Sequence, residues 1–311
     1  MTAHIGIIGA GLIGRAWAIV FARSGMSVCI YDIDASALGR VRDDIRQSLQ
    51  DLRQAGLIAD IEAPLSLIRT ENDLAHAMSG VEYVQECGPE GIDAKRRIYS
   101  ELESVVAIDT VLASSTSGIA ASRFTNQLKH PERCLVAHPV NPPYLIPLVE
   151  VAPSPDTSEA AVSRTMQLMK QAQQTPILVR KEVQGFILNR LQGALLNEAL
   201  RLFRDGYVSA EDLDKTVKHG LGLRWSFMGP FETIDLNAPN GVVDYGQRYG
   251  PLYREVDCQR SDDNPWDAVT LAALDLERRT QLSPEDLAER QAWRDRRLMA
   301  LMVHQRHIET Q

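Results

Sequence analysis

Residues 9–14 read G-A-G-L-I-G. They end an apolar run, HIGIIG at 4–9, and open a helical one, LIGRAWAIVFARS at 12–24. Three glycines at this spacing, between a β-branched run and a helix, constrain the chain more than any other feature. Gly9 permits a tight turn. Gly11 lets a backbone approach a ligand closely, and Gly14 lets the helix lie against a sheet. Strand, glycine turn and helix together form the first step of a parallel sheet covered by helices.

The alternation continues. SVCIYD (27–32), LSLIRT (65–70), VEYVQE (81–86), TVLASS (110–115), CLVAH (134–138), PLVEVA (147–152) and PILVR (176–180) read as strands. Helices are expected over 36–54, which Gly56 follows, and over 93–104, 121–128 and 158–173. After about Val183 strand signals are almost absent. FILNRLQGALLNEALRLFRDG (186–206) is apolar nearly all round, notably at Leu191, Leu195, Leu196, Leu200 and Leu202. Such a helix is expected to be buried on most faces. S-A-E-D (209–212) is a capping box that opens a helix to Gly220, and S-P-E-D (283–286) starts one running past Trp293. The fold class is therefore α/β: a Rossmann-type, mostly parallel sheet domain over 1–183, then an all-helical domain over 184–311.

Composition narrows the function. Net charge is −8 with no lysine/arginine cluster, which argues against nucleic acid or an anionic membrane as partner. No apolar run approaches a membrane span. The N-terminal apolar stretch lacks a basic flank and is broken by Arg15, so a cytoplasmic location is expected. Cys29, Cys87, Cys134 and Cys258 are far apart and form no CxxC. They read as reduced thiols, with no zinc site and no disulfide frame, and Cys29 and Cys134 are expected in the core.

The start of the first helix, at Leu12 and Ile13, offers unpaired N–H groups and a positive dipole end to phosphates. Asp32 closes the second strand 18 residues after Gly14. A carboxylate there accepts ribose hydroxyls and repels a 2′-phosphate, which favours NAD over NADP. FAD-binding chains share the fingerprint; the modest length and a candidate catalytic histidine favour NAD here. That histidine lies in AHPVNPPY (137–144). Its prolines forbid a helix and pin a loop, so His138 and Asn141 are presented rather than packed into a regular element. Taken alone, the stretch also reads as a strand-end turn with a structural histidine.

With IGAGLIGRAWA, QECGPE, SSTSG, VAHPVNPPYLIPLVEV, GFILNRLQ and GLGLRWSFMGPFET in this order, the chain resembles the 3-hydroxyacyl-CoA dehydrogenase superfamily. Within it, the chain is most similar to the lambda-crystallin and L-gulonate 3-dehydrogenase group. The resemblance spans nearly the whole chain. It implies that His138 is the catalytic histidine and Glu150 its acidic partner. It further implies a serine near nicotinamide and substrate at Ser117, and a helical-domain asparagine at Asn189. Glu90 and Lys95 match positions that approach the cofactor, and Asn141 joins Ser117 and Asn189 as a substrate-binding candidate. The chemistry agrees. Oxidising a secondary alcohol needs a base for the hydroxyl proton, and histidine ordinarily changes charge near neutrality. A carboxylate that fixes its tautomer improves it, and hydrogen-bond donors steady the reacting oxygen. Each residue also has a plainer role available. Ser117 could cap a helix, Glu150 could be an edge-strand acid, and Asn189 could bond the backbone. Glu90 and Lys95 could form a solvated pair.

In GLGLRWSFMGPFE (220–232), Arg224 and Trp225 depart from the acyl-CoA branch. An arginine fork matches a free carboxylate, so Arg224 is a candidate substrate clamp, or else an interface or helix-end residue. The expected reaction is NAD-dependent oxidation of L-gulonate to 3-dehydro-L-gulonate. L-carnitine and short 3-hydroxyacyl-CoA remain alternatives, Trp225 being suited to a quaternary ammonium. A crystallin-like structural role is the non-enzymatic alternative. The resemblance also implies a homodimer formed through the helical domain.

Overall fold

The GAGLIG turn joins β1 (His4–Ile8) to α1 (Leu12–Arg23) in the computed structural model, which describes residues 3–259 and 264–309. The chain continues through β2 (Ser27–Tyr31), α2 (Ala35–Gln54), α3 (Glu62–Ser66), β3 (Ile68–Glu71), α4 (Leu74–Ala77), β4 (Tyr83–Glu86) and α5 (Ile92–Val105). Then come β5 (Val111–Ser114), α6 (Ser122–Thr125), β6 (Cys134–Pro139), β7 (Leu148–Pro153), α7 (Glu159–Gln171) and β8 (Thr175–Leu178). The eight strands form one sheet in the order β3-β2-β1-β4-β5-β6-β7-β8. Every neighbouring pair is parallel except β6 and β7. The expected mostly parallel, Rossmann-type sheet is what the chain forms.

Strand side chains alternate between the two faces, so buried strands must be apolar on both. Ile5, Ile7, Val28 and Ile30 pack with α1, α2 and α7 on one face, where Trp17 stacks on Phe21 at 5.2 Å. Ile8, Cys29, Val84 and Leu112 pack on the other with Tyr99 of α5 and Phe124 of α6. Each such side chain contributes roughly 1.5–3 kcal/mol on burial. Cys29 and Cys134 both lie in this core. Because β1 and β4 are neighbours while β2 lies on the other side of β1, the chain changes direction between them, and a crevice opens at their carboxyl ends.

The chain divides into two compact units, Met1–Arg190 with Glu289–Gln311, and Leu191–Ala288. The last helix, α14 (Leu287–Glu309), belongs to the first unit from Glu289 on, because Leu298, Met299 and Met302 pack on its core. Before it, the chain forms α8 (Leu188–Arg204), α9 (Ala210–Thr216), α10 (Gly222–Trp225), α11 (Pro230–Leu236), α12 (Gly241–Cys258) and α13 (Ala268–Arg279). The second unit is helical, with no strand among its described residues.

Four local expectations are corrected. LSLIRT is not one strand. The Asp60 carboxylate accepts the Glu62 and Ala63 N–H groups and starts α3, so the strand begins only at Ile68. The helix expected over 121–128 is confined to Ser122–Thr125. Ser209 caps α9 as its motif requires, but the α-helix ends at Thr216 and a π-helical turn, Val217–Leu221, follows. At the last motif, Ser283 donates to the Asp286 carboxylate at 3.1 Å, and α14 (Leu287–Glu309) starts beyond it. The α8 leucines also differ from expectation. Leu200 is 5% exposed, whereas Leu191 is 63% exposed and Leu195, Leu196 and Leu202 are exposed as well. This chain alone does not cover that stripe. No described helix is long and apolar enough to cross a membrane, and no described group of three His, Cys, Asp or Glu could hold a metal.

Candidate active site

The three glycines have separable roles. Gly9 adopts φ +104°, and a Cβ there would lie 2.8 Å from the Cys87 carbonyl oxygen. A Cβ on Gly14 would lie 1.8 Å from the Gly9 oxygen, which is how closely α1 approaches the turn. A Cβ on Gly11 would meet nothing within 4 Å. The first and third glycines are thus required by the protein's own backbone, while the second leaves open space for a ligand. Asp32 accepts the Ala10 N–H at 2.7 Å and the Asp34 N–H at 2.9 Å, so its carboxylate is fixed beside the turn. Gly9, Gly11, Asp32, Leu74, Gly88 and Leu102 are among the residues lining a cleft of about 340 Å³. Cys87 also lines it; burial pushes its thiol up to about 12, against a weaker opposing hydrogen bond with Ser115, so it is present as a neutral thiol. The turn, the acid and the open apolar slot fit a dinucleotide.

At the carboxyl end of β6, the antiparallel pairing with β7 sets His138 directly opposite Glu150. Facing residues on one side of such a pair are near neighbours. The result is a hydrogen bond of 2.8 Å between His138 Nδ1 and Glu150 Oε2, with His138 7% exposed and Glu150 fully buried. A carboxylate only accepts, so Nδ1 carries a proton, and in the neutral ring Nε2 holds the lone pair. The other carboxylate oxygen, Oε1, accepts the Ile187 N–H at 2.8 Å and the Leu188 N–H at 2.9 Å, satisfying donors at the start of α8. Burial pushes the Glu150 carboxyl upward. The His138 bond and the two backbone donors outweigh it and leave the group below its ordinary value.

The turn before α8 is strained. Gly185 has φ +76° and Phe186 φ +49°, a left-handed conformation that costs a bulky residue on the order of 1 kcal/mol or more. The buried Phe186 ring, 5.5 Å from the His138 ring, helps hold it there. One turn on, Asn189 donates from Nδ2 to the Ser117 carbonyl oxygen at 2.7 Å. Ser117 in turn gives its backbone N–H (3.0 Å) and hydroxyl (3.3 Å) to Glu90 Oε1. His138, Glu150, Asn189, Ser117 and Glu90 therefore form one hydrogen-bonded cluster through the start of α8.

Other expected site residues lie elsewhere. Lys95 does not present its ammonium to the cleft. It is 1% exposed and bonds both oxygens of the fully buried Glu86, at 2.9 and 3.1 Å. Asn141 is exposed in the loop after β6, and Arg224 is exposed on α10 in the second unit. Glu86, Ser114 and Gln85 were not expected at the site. Gln85 bonds the Ala137 carbonyl oxygen next to His138 at 3.1 Å. Their signal was present: a polar Gln-Glu pair closing a strand that a parallel sheet buries on both faces.

Residues 4–183 match the family described as 3-hydroxyacyl-CoA dehydrogenase, NAD binding domain, and residues 185–281 its C-terminal domain. Lambda-crystallin of Oryctolagus cuniculus is 41% identical over 310 residues, covering 98% of this chain and 97% of that protein. L-carnitine dehydrogenase of Pseudomonas sp is 32% identical over 307 residues, covering 95% and 91%. Among solved structures, 5-formyl-3-hydroxy-2-methylpyridine 4-carboxylic acid 5-dehydrogenase superposes with a TM-score of 0.83 at 29% identity, covering 97% and 98%. The (S)-3-hydroxybutyryl-CoA dehydrogenase of Ralstonia eutropha gives 0.67 at 27% identity, covering 83% and 89%. The glycine turn with its carboxylate and the match of both domains lead to one assignment: the chain belongs to the 3-hydroxyacyl-CoA dehydrogenase family and, with it, to the NAD-dependent oxidoreductases.

Proposed function

We propose that this protein oxidises the 3-hydroxyl of a small hydroxy acid, with L-gulonate as substrate and 3-dehydro-L-gulonate as product. The carrying observation is the buried His138–Glu150 pair at 2.8 Å. Bound NAD⁺ supplies the hydride acceptor. Glu150 fixes the Nδ1–H tautomer, His138 Nε2 takes the hydroxyl proton, and Glu150 stabilises the imidazolium that results. The second N–H of the Asn189 amide steadies the reacting oxygen, joined by the Ser117 hydroxyl when substrate draws it from its 3.3 Å contact with Glu90. Gly9, Gly11, Gly14, Leu12, Ile13 and Asp32 hold the dinucleotide, with Glu90 toward its nicotinamide end and Lys95 bearing on it only through the Glu86 and Glu90 carboxylates that it neighbours. Asn141, at the loop beside His138, contacts substrate.

L-gulonate is supported by the full-length similarity to the lambda-crystallin group and by Arg224 in the second unit, suited to a free carboxylate. L-carnitine is the second reading, supported by the relative above and by the 41% exposed Trp225 on the same short helix as Arg224. Initial rates of NADH formation on L-gulonate, L-carnitine and a short 3-hydroxyacyl-CoA test the reading. The highest kcat/KM is expected on L-gulonate. No NADH from any of them would leave the crystallin-like role in its place. Arg224→Met is expected to raise KM for the free acid about 10- to 100-fold, the loss of a charge-assisted bidentate contact. Unchanged KM and kcat would remove the clamp. The exposed leucines of α8 support a homodimer that covers them.

A further inference from the structure

The Glu86–Lys95 pair takes no part in the proton chemistry, yet it adjoins the groups that do. We propose that Glu86 is a positioning residue: it holds the Lys95 ammonium away from Glu90, so that the Glu90 carboxylate keeps its negative charge for the cationic nicotinamide ring of NAD⁺. This rests on the site reading above, which puts that ring beside Ser117 and Glu90.

The distances set the priority. Lys95 Nζ lies 2.9 and 3.1 Å from the two oxygens of Glu86, but 3.8 Å from Glu90 Oε2. Glu86 also accepts the Gly88 N–H at 2.7 Å and the Ser114 hydroxyl at 2.6 Å. Four hydrogen bonds from three donor groups fill its acceptor capacity and fix it in place. Glu86 and Lys95 are almost fully buried, so their mutual attraction is weakly screened, whereas the Glu90 side chain is 47% exposed. Glu90 is itself tethered. Its Oε1 accepts Thr116 Oγ1 at 2.5 Å as well as both Ser117 donors. It is thereby restrained from closing on Lys95, and its charge stays at Ser117. Three ionised groups leave one net negative charge, and that charge resides on the most exposed member. The nicotinamide ring is positive in NAD⁺ and neutral in NADH. A fixed anion beside it therefore favours the oxidised form alone.

Separate titrations of the full chain with NAD⁺, NADH and ADP-ribose test this, since ADP-ribose lacks the ring. Glu86→Gln frees Lys95, which already lies 3.8 Å from Glu90 Oε2, to close into a direct hydrogen-bonded pair with it. It is expected to weaken NAD⁺ about three- to tenfold while NADH and ADP-ribose change less than twofold. Glu86→Gln with Lys95→Met restores the single negative charge, and NAD⁺ affinity should return to within twofold of wild type. Equal weakening of all three ligands, or a double variant no better than the single one, overturns the role. Should Glu86→Gln alone not fold, the double variant is compared with Glu90→Gln: the first should keep the NAD⁺ preference and the second lose it, and loss in the double overturns the role. If Glu90→Gln leaves NAD⁺ and ADP-ribose both unchanged, the ring does not lie at Glu90, and the site reading falls with the inference.

Discussion

His138→Ala is expected to lower kcat by about 10³- to 10⁴-fold while NADH binds with near-wild-type affinity. Glu150→Gln should come within about tenfold of that loss, although it changes one atom. The reason lies in the two carboxylate oxygens. Oε1 accepts two backbone N–H groups, from Ile187 and Leu188, and Oε2 meets only His138. A glutamine keeps its carbonyl oxygen on the two backbone donors, because the reverse orientation sets its NH₂ against both. The NH₂ then faces His138 Nδ1 and donates to it. The imidazole is forced into the other tautomer, with the proton on Nε2, where the base must be bare. The fold should survive, since the α8 contacts are kept. Stopped-flow turnover with NAD⁺ and fluorescence titration with NADH separate the two quantities. Near-normal turnover in both variants would remove the base mechanism.

The second large effect is structural. Gly14→Ala places a methyl 1.8 Å from the Gly9 carbonyl oxygen and 3.3 Å from Ile7 Cγ2. Gly9 is hemmed in on its own account, since its missing Cβ would lie 2.8 Å from the Cys87 oxygen. Relief therefore requires moving α1 or distorting the loop. A cost of about 3 kcal/mol follows, at the upper end for overpacking, with a fall in Tm of roughly 6–12 °C. NAD⁺ affinity should drop at least a hundredfold, because the loop it needs is displaced. Gly11→Ala is the control. Its methyl meets no protein atom within 4 Å, so Tm should hold within about 2 °C while NAD⁺ affinity falls ten- to a hundredfold. Calorimetry and ligand titration on both variants check the contrast, and a Gly14→Ala protein with wild-type Tm would contradict the packing described here.

What could be read ahead of the structure was what local chemistry dictates. The glycine turn is a matter of backbone clearance over six residues, and Asp32 follows from where the second strand must end. His138 and Glu150 are twelve residues apart on consecutive strands, and their meeting needs only the antiparallel register that the proline loop permits. Competition between neighbouring polar groups, and burial set by distant ones, were harder to see. Asp60 captured the N–H groups that drew Leu65 and Ser66 of LSLIRT into a helix, and a short apolar run does not distinguish the two states. Ser283 spent its hydroxyl on a neighbouring carboxylate instead of a helix start. Lys95 reads as a surface cation because its burial depends on an acid nine residues earlier, at the end of a sheet strand. The exposed leucines of α8 keep the apolar pattern of a buried helix, and that pattern says nothing about which molecule supplies the cover.

His138, Glu150, Ser117 and Asn189 all fall within Met1–Arg190, and Arg224 falls outside it. Under the proposed mechanism, substitutions confined to Leu191–Ala288 leave every residue of the proton path unchanged. A change of preferred hydroxy acid, made through that unit, would then leave the proposed acid–base pair as it stands.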